Sequence, residues 1–452
     1  MTADPHRILA ISPFERPDVD LVRTIARGGR LAVLDLGHDP RAARRALAEL
    51  GRAGLPFGVL IRDPAFEARL LPPAVEQVVL APGLSPRAYA SRMTLCQVRS
   101  QEEADRAAAE GAGGLIAKGW EAGGQVGEET AFVLCQRLVA RSPLPVWVQG
   151  GFGGLGAAAC IAGGAAGVVF DDALALVREA STPGPLREAL ASMDGSETTV
   201  VDGVRGWRRP GRSSDAPLHL GGGAAFAAGL AQRWPSALSL LAGVEAEIDR
   251  ALSLAASAPP FERDNALARS WSLPWPIAQG PMTRVSDGPA FAKAVSDGGA
   301  LPFIALALMR GGAARTVLGQ TAALLAGRTW GVGILGFVPA ELREEQLAVL
   351  REIRPPVVLI AGGRPSQARA LEEEGIETWL HVPSPGLLDL YLREGARRFV
   401  FEGRESGGHI GPRGSLSLWE AQVQRLLQHE APEELSLLFA GALMGASAMS
   451  LV

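Results

Sequence analysis

One short sequence pattern occurs twice in the chain and carries the residues best suited to chemistry. Residues 111–127 align with residues 395–411 at a constant offset of 284, and both copies contain G-x-E-[AS]-G-G-[QH]-[VI]-G. In the second copy His409 follows Gly407 and Gly408, which allow the backbone to approach a ligand closely. A neutral imidazole near pH 7 is suited to general base catalysis, so His409 is the predicted catalytic base.

The first copy differs at the position that matters for proton transfer. It has Gln125 where the second copy has His409, and an amide cannot take a proton. If proton abstraction is the activity, the second copy performs it and the first is degenerate or only binds. A tight glycine turn does not require a Glu (Glu121, Glu405) after the same glycine in both copies, so we favour a functional interpretation, with Gly123-Gly124 as ligand contacts.

A second glycine-rich segment, residues 149–156, follows one predicted strand and begins a predicted helix. With Asp171 twenty residues after Gly151 it matches a dinucleotide-binding fingerprint. It follows the seventh strand of its series, however, where barrels place a phosphate loop, and we favour that interpretation. Asp171-Asp172 puts negative charge where the other half of a phosphate grip would lie. The predicted cofactor contacts here are Gly150, Gly151, Gly153 and Gly154.

Lysine is rare in this chain, so its positions are informative. Lys118 and Lys293 are the two lysines among 44 basic residues. Lys118 ends a predicted strand just before the first copy of the repeat. It is predicted either to face a bound anion or to pair with Glu121, and the sequence favours neither.

Short aliphatic runs alternate with amphipathic helical stretches along most of the chain. Alternating βα units imply a parallel sheet with right-handed crossovers, and eight of them close into a (β/α)8 barrel. The α/β fold class is therefore two tandem TIM-type barrels, with an open doubly wound sheet as the alternative for the first. The runs of the first half are residues 8–12, 30–35, 57–61, 77–81, 93–97, 114–118, 145–149 and 167–171, and those of the second half are 276–282, 301–305, 330–335, 357–361, 378–382, 398–402 and 437–441.

The rhythm predicts the domain boundaries. Residues 1–185 form the first barrel, residues 186–270 a linker with helices, and residues 271–452 a second barrel that lacks its last strand. The uncharged stretch 435–452 is interpreted as a buried strand entering a glycine turn rather than as a membrane anchor.

Composition restricts the class of partner. The 452 residues are 47% apolar and 20% charged with a net charge of −4, so no basic surface for nucleic acid is expected. Six histidines and three cysteines without CxxC spacing predict neither a metal site nor disulfides. With no secretory signal recognised, a cytoplasmic, non-membrane protein is expected.

Three segments together resemble the FMN-dependent nitronate monooxygenase (2-nitropropane dioxygenase) family. They are Pro276-Ile-Ala-Gln-Gly-Pro-Met282, Phe291-Ala-Lys-Ala-Val-Ser-Asp-Gly-Gly-Ala300 and Glu405-Ser-Gly-Gly-His409. Similar motifs, residues 119–124 and 148–151, stand in the first half. Relatives of this family include flavin enoyl reductases, and tandem copies are similar to modules of polyketide and polyunsaturated-fatty-acid synthases.

The resemblance implies FMN at the C-terminal face of a TIM barrel and His409 as the base acting on a nitroalkane or nitronate. The substrate would be a small molecule or a carrier-bound acyl group, and the partners would be other domains of a multienzyme synthase. A flavin enoyl-reductase-like module and a non-catalytic tandem scaffold are the alternatives. The implied cofactor contacts in the second half are Gln279, Gly280, Pro281, Met282, Glu405, Gly407, Gly408, Ala440 and Gly441.

The chain departs from the family pattern at four places. Ser12-Pro13-Phe14 stands where the first half would need its flavin loop, and Gln125 replaces the histidine. Ile334 stands where many members have Asn. The second half has no eighth strand after Ala440-Gly441 to complete a phosphate grip.

Overall fold

The computed structural model describes residues 7–208, 217–263, 265–443, 448–449 and 452. These residues form two compact units, each assembled from separate parts of the chain. The first contains Met1–Ser253, Pro412–Glu420 and Ala442–Val452, and the second contains Leu254–Gly411 and Ala421–Gly441. The sequence rhythm suggested boundaries at residues 185 and 270, whereas the compact units place residues 186–253 with the first barrel.

The first unit contains a closed eight-stranded parallel barrel, which confirms the first predicted barrel and excludes an open sheet there. The barrel order is β1-β2-β3-β4-β5-β6-β8-β9, and β10-β11-β7 form a separate small sheet. The strands are β1 (Ile8–Ile11), β2 (Ala32–Asp35), β3 (Phe57–Ile61), β4 (Val75–Leu80), β5 (Met93–Val98), β6 (Gly114–Lys118), β7 (Gly124–Gln125), β8 (Val146–Gln149), β9 (Gly167–Phe170), β10 (Thr199–Val201) and β11 (Val204–Gly206).

Helices follow most of the barrel strands, and side-chain caps mark the starts of some of them. The carboxylate of Asp18 accepts from the Leu21 amide, and Ser100 accepts from the Glu103 amide, which satisfies amide groups that the first turn leaves unpaired. The helices are α1 (Val19–Arg27), α2 (Pro40–Ala53), α3 (Gln101–Ala109), α4 (Ala131–Arg141), α5 (Gly154–Ala162), α6 (Gly184–Ala191), α7 (Ala224–Arg233) and α8 (Ala237–Ser257).

The barrel interior is packed with side chains rather than hollow. Each strand contributes aliphatic residues to one core, as the near-continuous apolar runs of a parallel sheet require. The buried members of that core are Leu9, Ile11, Val33, Leu60, Val79, Leu95, Ile116, Trp147 and Val169. This rigid cylinder fixes the positions of the polar residues at its C-terminal end.

The second unit contains an open parallel sheet of six strands in the order β12-β13-β14-β15-β16-β17. The first predicted strand of this half appears as a single parallel bridge between Ala278 and Leu301. Closure into a second eight-stranded barrel is not seen among the described residues. The elements are α9 (Ala266–Ser270), α10 (Pro289–Asp297), β12 (Phe303–Ala305), α11 (Gly311–Leu324), β13 (Gly331–Leu335), α12 (Ala340–Ile353), β14 (Val357–Ala361), α13 (Pro365–Glu372), β15 (Glu377–His381), α14 (Pro385–Arg393), β16 (Arg398–Glu402), α15 (Ser415–Leu426) and β17 (Ser436–Ala440).

The strands of this sheet pack against a hydrophobic core that contains Trp271. Trp271 and Trp379 lie with ring centroids 5.7 Å apart, and both indole N–H groups donate to Glu377 Oε1. Side chains from the outermost strands, Ala278 and Leu438, pack against the same cluster. The sheet therefore has the curvature of part of a barrel, with its C-terminal strand ends along one rim.

The last strand forms where the apolar C-terminal stretch predicts one, but its five residues are half-buried rather than buried. β17 pairs in parallel with β16 from Arg398↔Ser436 to Glu402↔Ala440. Within the described part of the chain, no helix combines the length and apolarity needed to cross a bilayer.

Candidate functional site

Charged and polar side chains fill the C-terminal mouth of the first barrel. They lie at strand ends or in the loops that follow, which is where barrels place functional residues. They are Glu15, Asp35, Arg62, Lys118, Gln149 and Asp171.

Glu15 is at the centre of this network. Arg62 Nη1 lies 2.8 Å from Glu15 Oε1, and Arg62 also makes a two-pronged contact with Asp35 through Nε (2.9 Å) and Nη2 (2.7 Å). Burial opposes ionisation of Glu15, but hydrogen bonds from His219 and His38 and the charge of Arg62 outweigh it and hold the pKa of Glu15 well below its usual range. The carboxylate form of Glu15 is therefore favoured in the folded barrel.

Lys118 is fully buried beside Glu15 rather than paired with Glu121. Its Nζ lies 3.8 Å from Glu15 Oε1 and makes no hydrogen bond within the described residues. Burial, reinforced by repulsion from Arg62, lowers the pKa of Lys118 from 10.5 to about 8. Lys118 therefore contacts Glu15 and not Glu121, its predicted partner. Glu121 Oε2 accepts from the Ala131 amide at 2.8 Å.

Lys118→Met is expected to change how stability depends on pH. Because the folded pKa of Lys118 lies below its unfolded value, the folded chain holds fewer protons than the unfolded chain between about pH 8 and 10.5, and the wild type gains stability as pH rises through that window. The free energy of unfolding of the wild type relative to Lys118→Met should increase across it by at least about 1 kcal/mol, since one pKa unit corresponds to about 1.4 kcal/mol. Urea unfolding at several pH values measures the difference.

Lys293→Met is the matched control, because it removes the exposed lysine of α10. Equal pH dependence for Lys118→Met and the wild type would contradict a desolvated Lys118.

The segment around Gly221 and Gly222, which follows the barrel in the chain, packs over the C-terminal mouth. The Gly221 amide donates to Asp172 Oδ2 at 2.6 Å, and the Gly222 amide donates to the Glu121 carbonyl at 2.7 Å. A Cβ on Gly123 would lie 3.0 Å from the Gly221 nitrogen, and one on Gly124 would overlap Glu15. The glycines of the first repeat copy therefore accommodate this segment and the Glu15 side chain.

The glycine loop predicted to hold phosphate binds a carboxylate of the chain itself. Glu420 Oε2 accepts from the Gly153 amide (2.6 Å) and the Gly156 amide (3.0 Å), and Oε1 accepts from the Leu155 amide (3.1 Å). These donors lie at the N-terminus of α5, where an anion is favoured. Burial raises the pKa of Glu420 to about 7, against the effect of the three hydrogen bonds.

The other predicted loop glycines contact protein as well. A Cβ on Gly150 would lie 2.6 Å from Ala131 Cβ, one on Gly151 would lie 2.7 Å from Gly222 Cα, and one on Gly154 would overlap the Glu247 carboxylate. The first unit therefore does not fit FMN: its anion donors are satisfied by Glu420 and its mouth is filled.

The flavin loop predicted in the second unit begins at the C-terminal end of the bridged strand. The side-chain Oε1 of Gln279 accepts from the Phe303 backbone amide at 3.1 Å. The backbone N–H of Gln279 donates to the Leu301 carbonyl at 2.8 Å. The Met282 amide donates to Ser286 Oγ at 2.7 Å, and its carbonyl accepts from the Ser286 amide at 2.8 Å. The loop through Gly280 and Pro281 is thus anchored at both ends.

His409 and its neighbours lie in the loop after β16. His409, Gly407 and Gly408 are exposed, and the His409 ring contacts Phe337 edge to face at 4.9 Å between centroids. Phe337 follows β13, so the contact links loops from strands that are not neighbours in the sheet. The base role of His409 stays a prediction.

The remaining predicted contacts lie at the same rim. Glu405 is half-buried in the loop after β16. Ala440 ends β17, and its carbonyl accepts from the Gly403 amide at 3.3 Å. Gly441 has a φ of 130°, a conformation that favours glycine.

Two functional candidates on this rim were missed in the sequence. His381 ends β15 and Glu402 ends β16, and His381 Nε2 lies 3.0 Å from Glu402 Oε2. Burial lowers the pKa of His381 to about 4 and raises that of Glu402 to about 7. Two neighbouring groups whose pKa values are shifted in opposite directions by their surroundings are typical of sites of proton transfer. Their position as the last residue of a strand was the available signal.

Exposed apolar side chains lie in loops at the same strand ends as these polar groups. All lie in loops that follow strands of the second sheet, in contrast to the charged mouth of the first barrel. They are Met282, Val285, Leu308, Phe337 and Ile410, between 38% and 69% exposed. An apolar rim with a few convergent polar groups is typical of a small-molecule or cofactor site.

Comparison with known proteins gives partial similarities. No family model matches the chain. A dehydrogenase of Rhodococcus jostii (strain RHA1), named (3aS,4S,5R,7aS)-5-hydroxy-7a-methyl-1-oxo-octahydro-1H-indene-4-carboxyl-CoA dehydrogenase, is 29% identical over 166 residues, which are 33% of this chain and 46% of that protein. The chain thus spans about half the length of this curated relative.

Solved structures are also partly similar to the chain. FabK from Thermotoga maritima gives a TM-score of 0.49 at 20% identity, covering 56% of this chain and 95% of that one. A nitroalkane oxidase from Streptomyces ansochromogenes gives 0.46 at 20% identity, covering 54% and 96%. The enoyl reductase domain of MlnA from Bacillus amyloliquefaciens gives 0.35 at 15% identity, covering 43% and 59%.

Proposed function

We propose that the second unit is an FMN-dependent oxidoreductase module of the nitronate monooxygenase type and that the first barrel does not bind flavin. The observation that carries the proposal is the contrast between the two C-terminal strand ends. The first is filled by Glu15, Arg62 and the Glu420 carboxylate. The second is apolar and exposed, and it holds His409 together with the buried His381 and the half-buried Glu402.

The residues of the second rim fit a flavin ring in kind. A flat, largely apolar ring with polar edges requires apolar walls and a few hydrogen-bonding groups, and Met282, Phe337 and the anchored Gln279 loop supply them. His381 Nε2 is buried 3.0 Å from Glu402 Oε2, which puts a polar pair at the strand ends. FMN, when bound, would supply the acceptor or donor of an electron pair.

The side chains of this chain would bind the substrate and manage its proton. His409, on an exposed loop, would accept a proton from the substrate carbon, which is the slow step when a nitroalkane is the substrate. His381 is neutral near pH 7, and Glu402 is partly protonated there, so the pair can hold one proton behind the rim. Neither residue needs to move for that role, because both end buried strands.

A second substrate class is favoured by one observation. The Rhodococcus relative is named for a carboxyl-CoA substrate, an acyl thioester. An enoyl-reductase-like module acting on carrier-bound acyl chains is therefore the alternative. NAD(P)H-dependent reduction of the flavin distinguishes it, since oxidation of a nitronate does not need NAD(P)H.

The proposal is tested by flavin binding to the full chain. The purified protein should show flavin absorbance or quench FMN fluorescence on titration. Gly333→Ala should weaken FMN binding by about tenfold or more, because a Cβ there would lie 2.3 Å from Pro281 Cβ and displace the Gln279 loop.

Gly319→Ala in α11 is the matched control, because a Cβ there meets nothing within 4 Å. A wild-type chain that binds no FMN would contradict the proposal. Equal FMN affinities for the two glycine variants would remove the Gln279 loop from the site.

A further inference from the structure

We propose that Glu15, His38 and His219 form a binding site for one divalent transition-metal ion, with Zn²⁺ as the reference ion. The three side chains come from the loop after β1, the loop after β2 and the segment that follows β11. Their ligand atoms all lie within 4.8 Å of one another. The site is independent of the proposed flavin chemistry, which concerns the second unit.

Both imidazoles point at the same carboxylate oxygen. His38 Nε2 lies 2.7 Å from Glu15 Oε2, and His219 Nδ1 contacts that oxygen from the other side. The two rings meet edge to face with centroids 5.4 Å apart. Zn–N and Zn–O bonds of about 2.0–2.1 Å place tetrahedral ligand atoms roughly 3.3 Å apart, so binding requires side-chain shifts below about 1 Å.

The ligand types match a known class of metal site. Two imidazoles and one carboxylate, with the remaining position open, are the ligands of catalytic zinc sites, and the same set binds Fe²⁺ in oxygenases. Without a metal, both rings must carry a proton on the nitrogen that faces Glu15. A metal ion replaces those two protons and satisfies all three ligands at once.

Glu15 is held in place before any ion arrives. Phe14 and Glu15 have φ values of 65° and 53°, a left-handed conformation that costs energy in side-chain-bearing residues and clusters at functional sites. A Cβ on Gly37 would lie 2.8 Å from the Glu15 carbonyl, and one on Gly124 would overlap its carboxylate. Backbone from two other loops therefore packs against Glu15 and aims its side chain.

The surroundings leave one carboxylate oxygen for the metal and a path from solvent. Arg62 contacts Oε1, so Glu15 offers Oε2 as a single ligand atom. The His38 side chain is 61% exposed, and a cavity of about 90 Å³ borders both His38 and Arg62. Asp35 pairs with Arg62 beside the site, so part of the positive charge of the mouth is already balanced.

The test is metal binding by the full chain, purified without a histidine tag and freed of metal by dialysis against a chelator. Titration calorimetry should show one Zn²⁺ per chain, and Co²⁺ should give the visible absorption of a site with nitrogen ligands. His38→Ala and His219→Ala should each weaken Zn²⁺ binding by at least about 100-fold, since each removes a direct ligand. His429→Ala, which alters a histidine of the second unit, should bind as the wild type does.

Glu15→Gln should also weaken Zn²⁺ binding. If that variant fails to fold, His38→Ala still tests the proposal, because the His38 side chain is largely exposed and its loss leaves no cavity. Circular dichroism establishes that each variant is folded. Absence of Zn²⁺ and Co²⁺ binding by the wild type would overturn the proposal. So would unchanged binding in both His38→Ala and His219→Ala, because the ion would then be bound elsewhere.

Discussion

Replacement of Glu420 by alanine is expected to lower the free energy of unfolding of the first unit by at least about 3 kcal/mol. The side chain satisfies three amide groups at the start of α5, and each buried donor left without an acceptor costs about 1–3 kcal/mol. The effect should be larger near pH 5 than near pH 8. Because the folded pKa of Glu420 is raised to about 7, the stability that it contributes is complete below its unfolded value of 4.5 and is lost as pH rises through 7.

Urea unfolding of the full chain measures this loss, with Glu102→Ala as the matched control. Glu102 is an exposed carboxylate in α3, paired at 3.2 Å with Arg106, and its removal should cost less than about 1 kcal/mol. Inorganic phosphate, at matched ionic strength, should raise the Tm of Glu420→Ala more than that of the wild type, because it can occupy the vacated donors. A Glu420→Ala variant as stable as Glu102→Ala would contradict the stabilising role of Glu420 at the amides that begin α5.

Replacement of His409 by alanine is expected to reduce turnover of the FMN-loaded chain by about 10²- to 10⁴-fold, the usual contribution of a general base. The loss should fall on kcat with a nitroalkane substrate and be smaller with a preformed nitronate, from which no carbon-bound proton must be removed. FMN affinity and Tm should stay near the wild-type values, because the side chain is exposed and its ring contacts Phe337 alone among the described aromatic rings.

Steady-state kinetics with both substrate forms measure the effect, and His429→Ala is the control for loss of a histidine elsewhere in the second unit. Added imidazole should restore part of the activity of His409→Ala, since an exposed position admits a small base. Full activity in His409→Ala with a loss in Glu402→Gln would move the base to the buried pair. No turnover by the FMN-loaded wild type, with or without NAD(P)H, would favour the non-catalytic scaffold.

The sequence predicted the first barrel well because parallel strands buried on both sides are continuous aliphatic runs. Each of the eight predicted runs overlaps a barrel strand, from Ile8–Ile11 to Gly167–Phe170. The small sheet of β7, β10 and β11 was missed, because strands of two and three residues carry no detectable period. Six strands of the second sheet form where they were predicted, and the first predicted strand of that half appears as a single bridge.

The polar clusters were less predictable, because they depend on contacts between distant parts of the chain. Glu420 lies in a helix whose pattern is ordinary, and its bond to Gly153 spans 267 residues. His38 and His219 have no metal-ligand spacing, so six scattered histidines indicated no site. The glycine loop was predicted to hold a phosphate, and nothing local indicated that a side chain of the same polypeptide occupies its amide donors.

The long separation between the glycine loop and Glu420 bears on how the protein matures during translation. The loop leaves the ribosome early, whereas Glu420, which accepts hydrogen bonds from its amides, is synthesised 267 residues later. The backbone amides at the start of α5 therefore remain hydrogen-bonded to water while β12 to β16 are synthesised. The portion made first is therefore among the last to be finished, and contacts of such separation are those that form slowly.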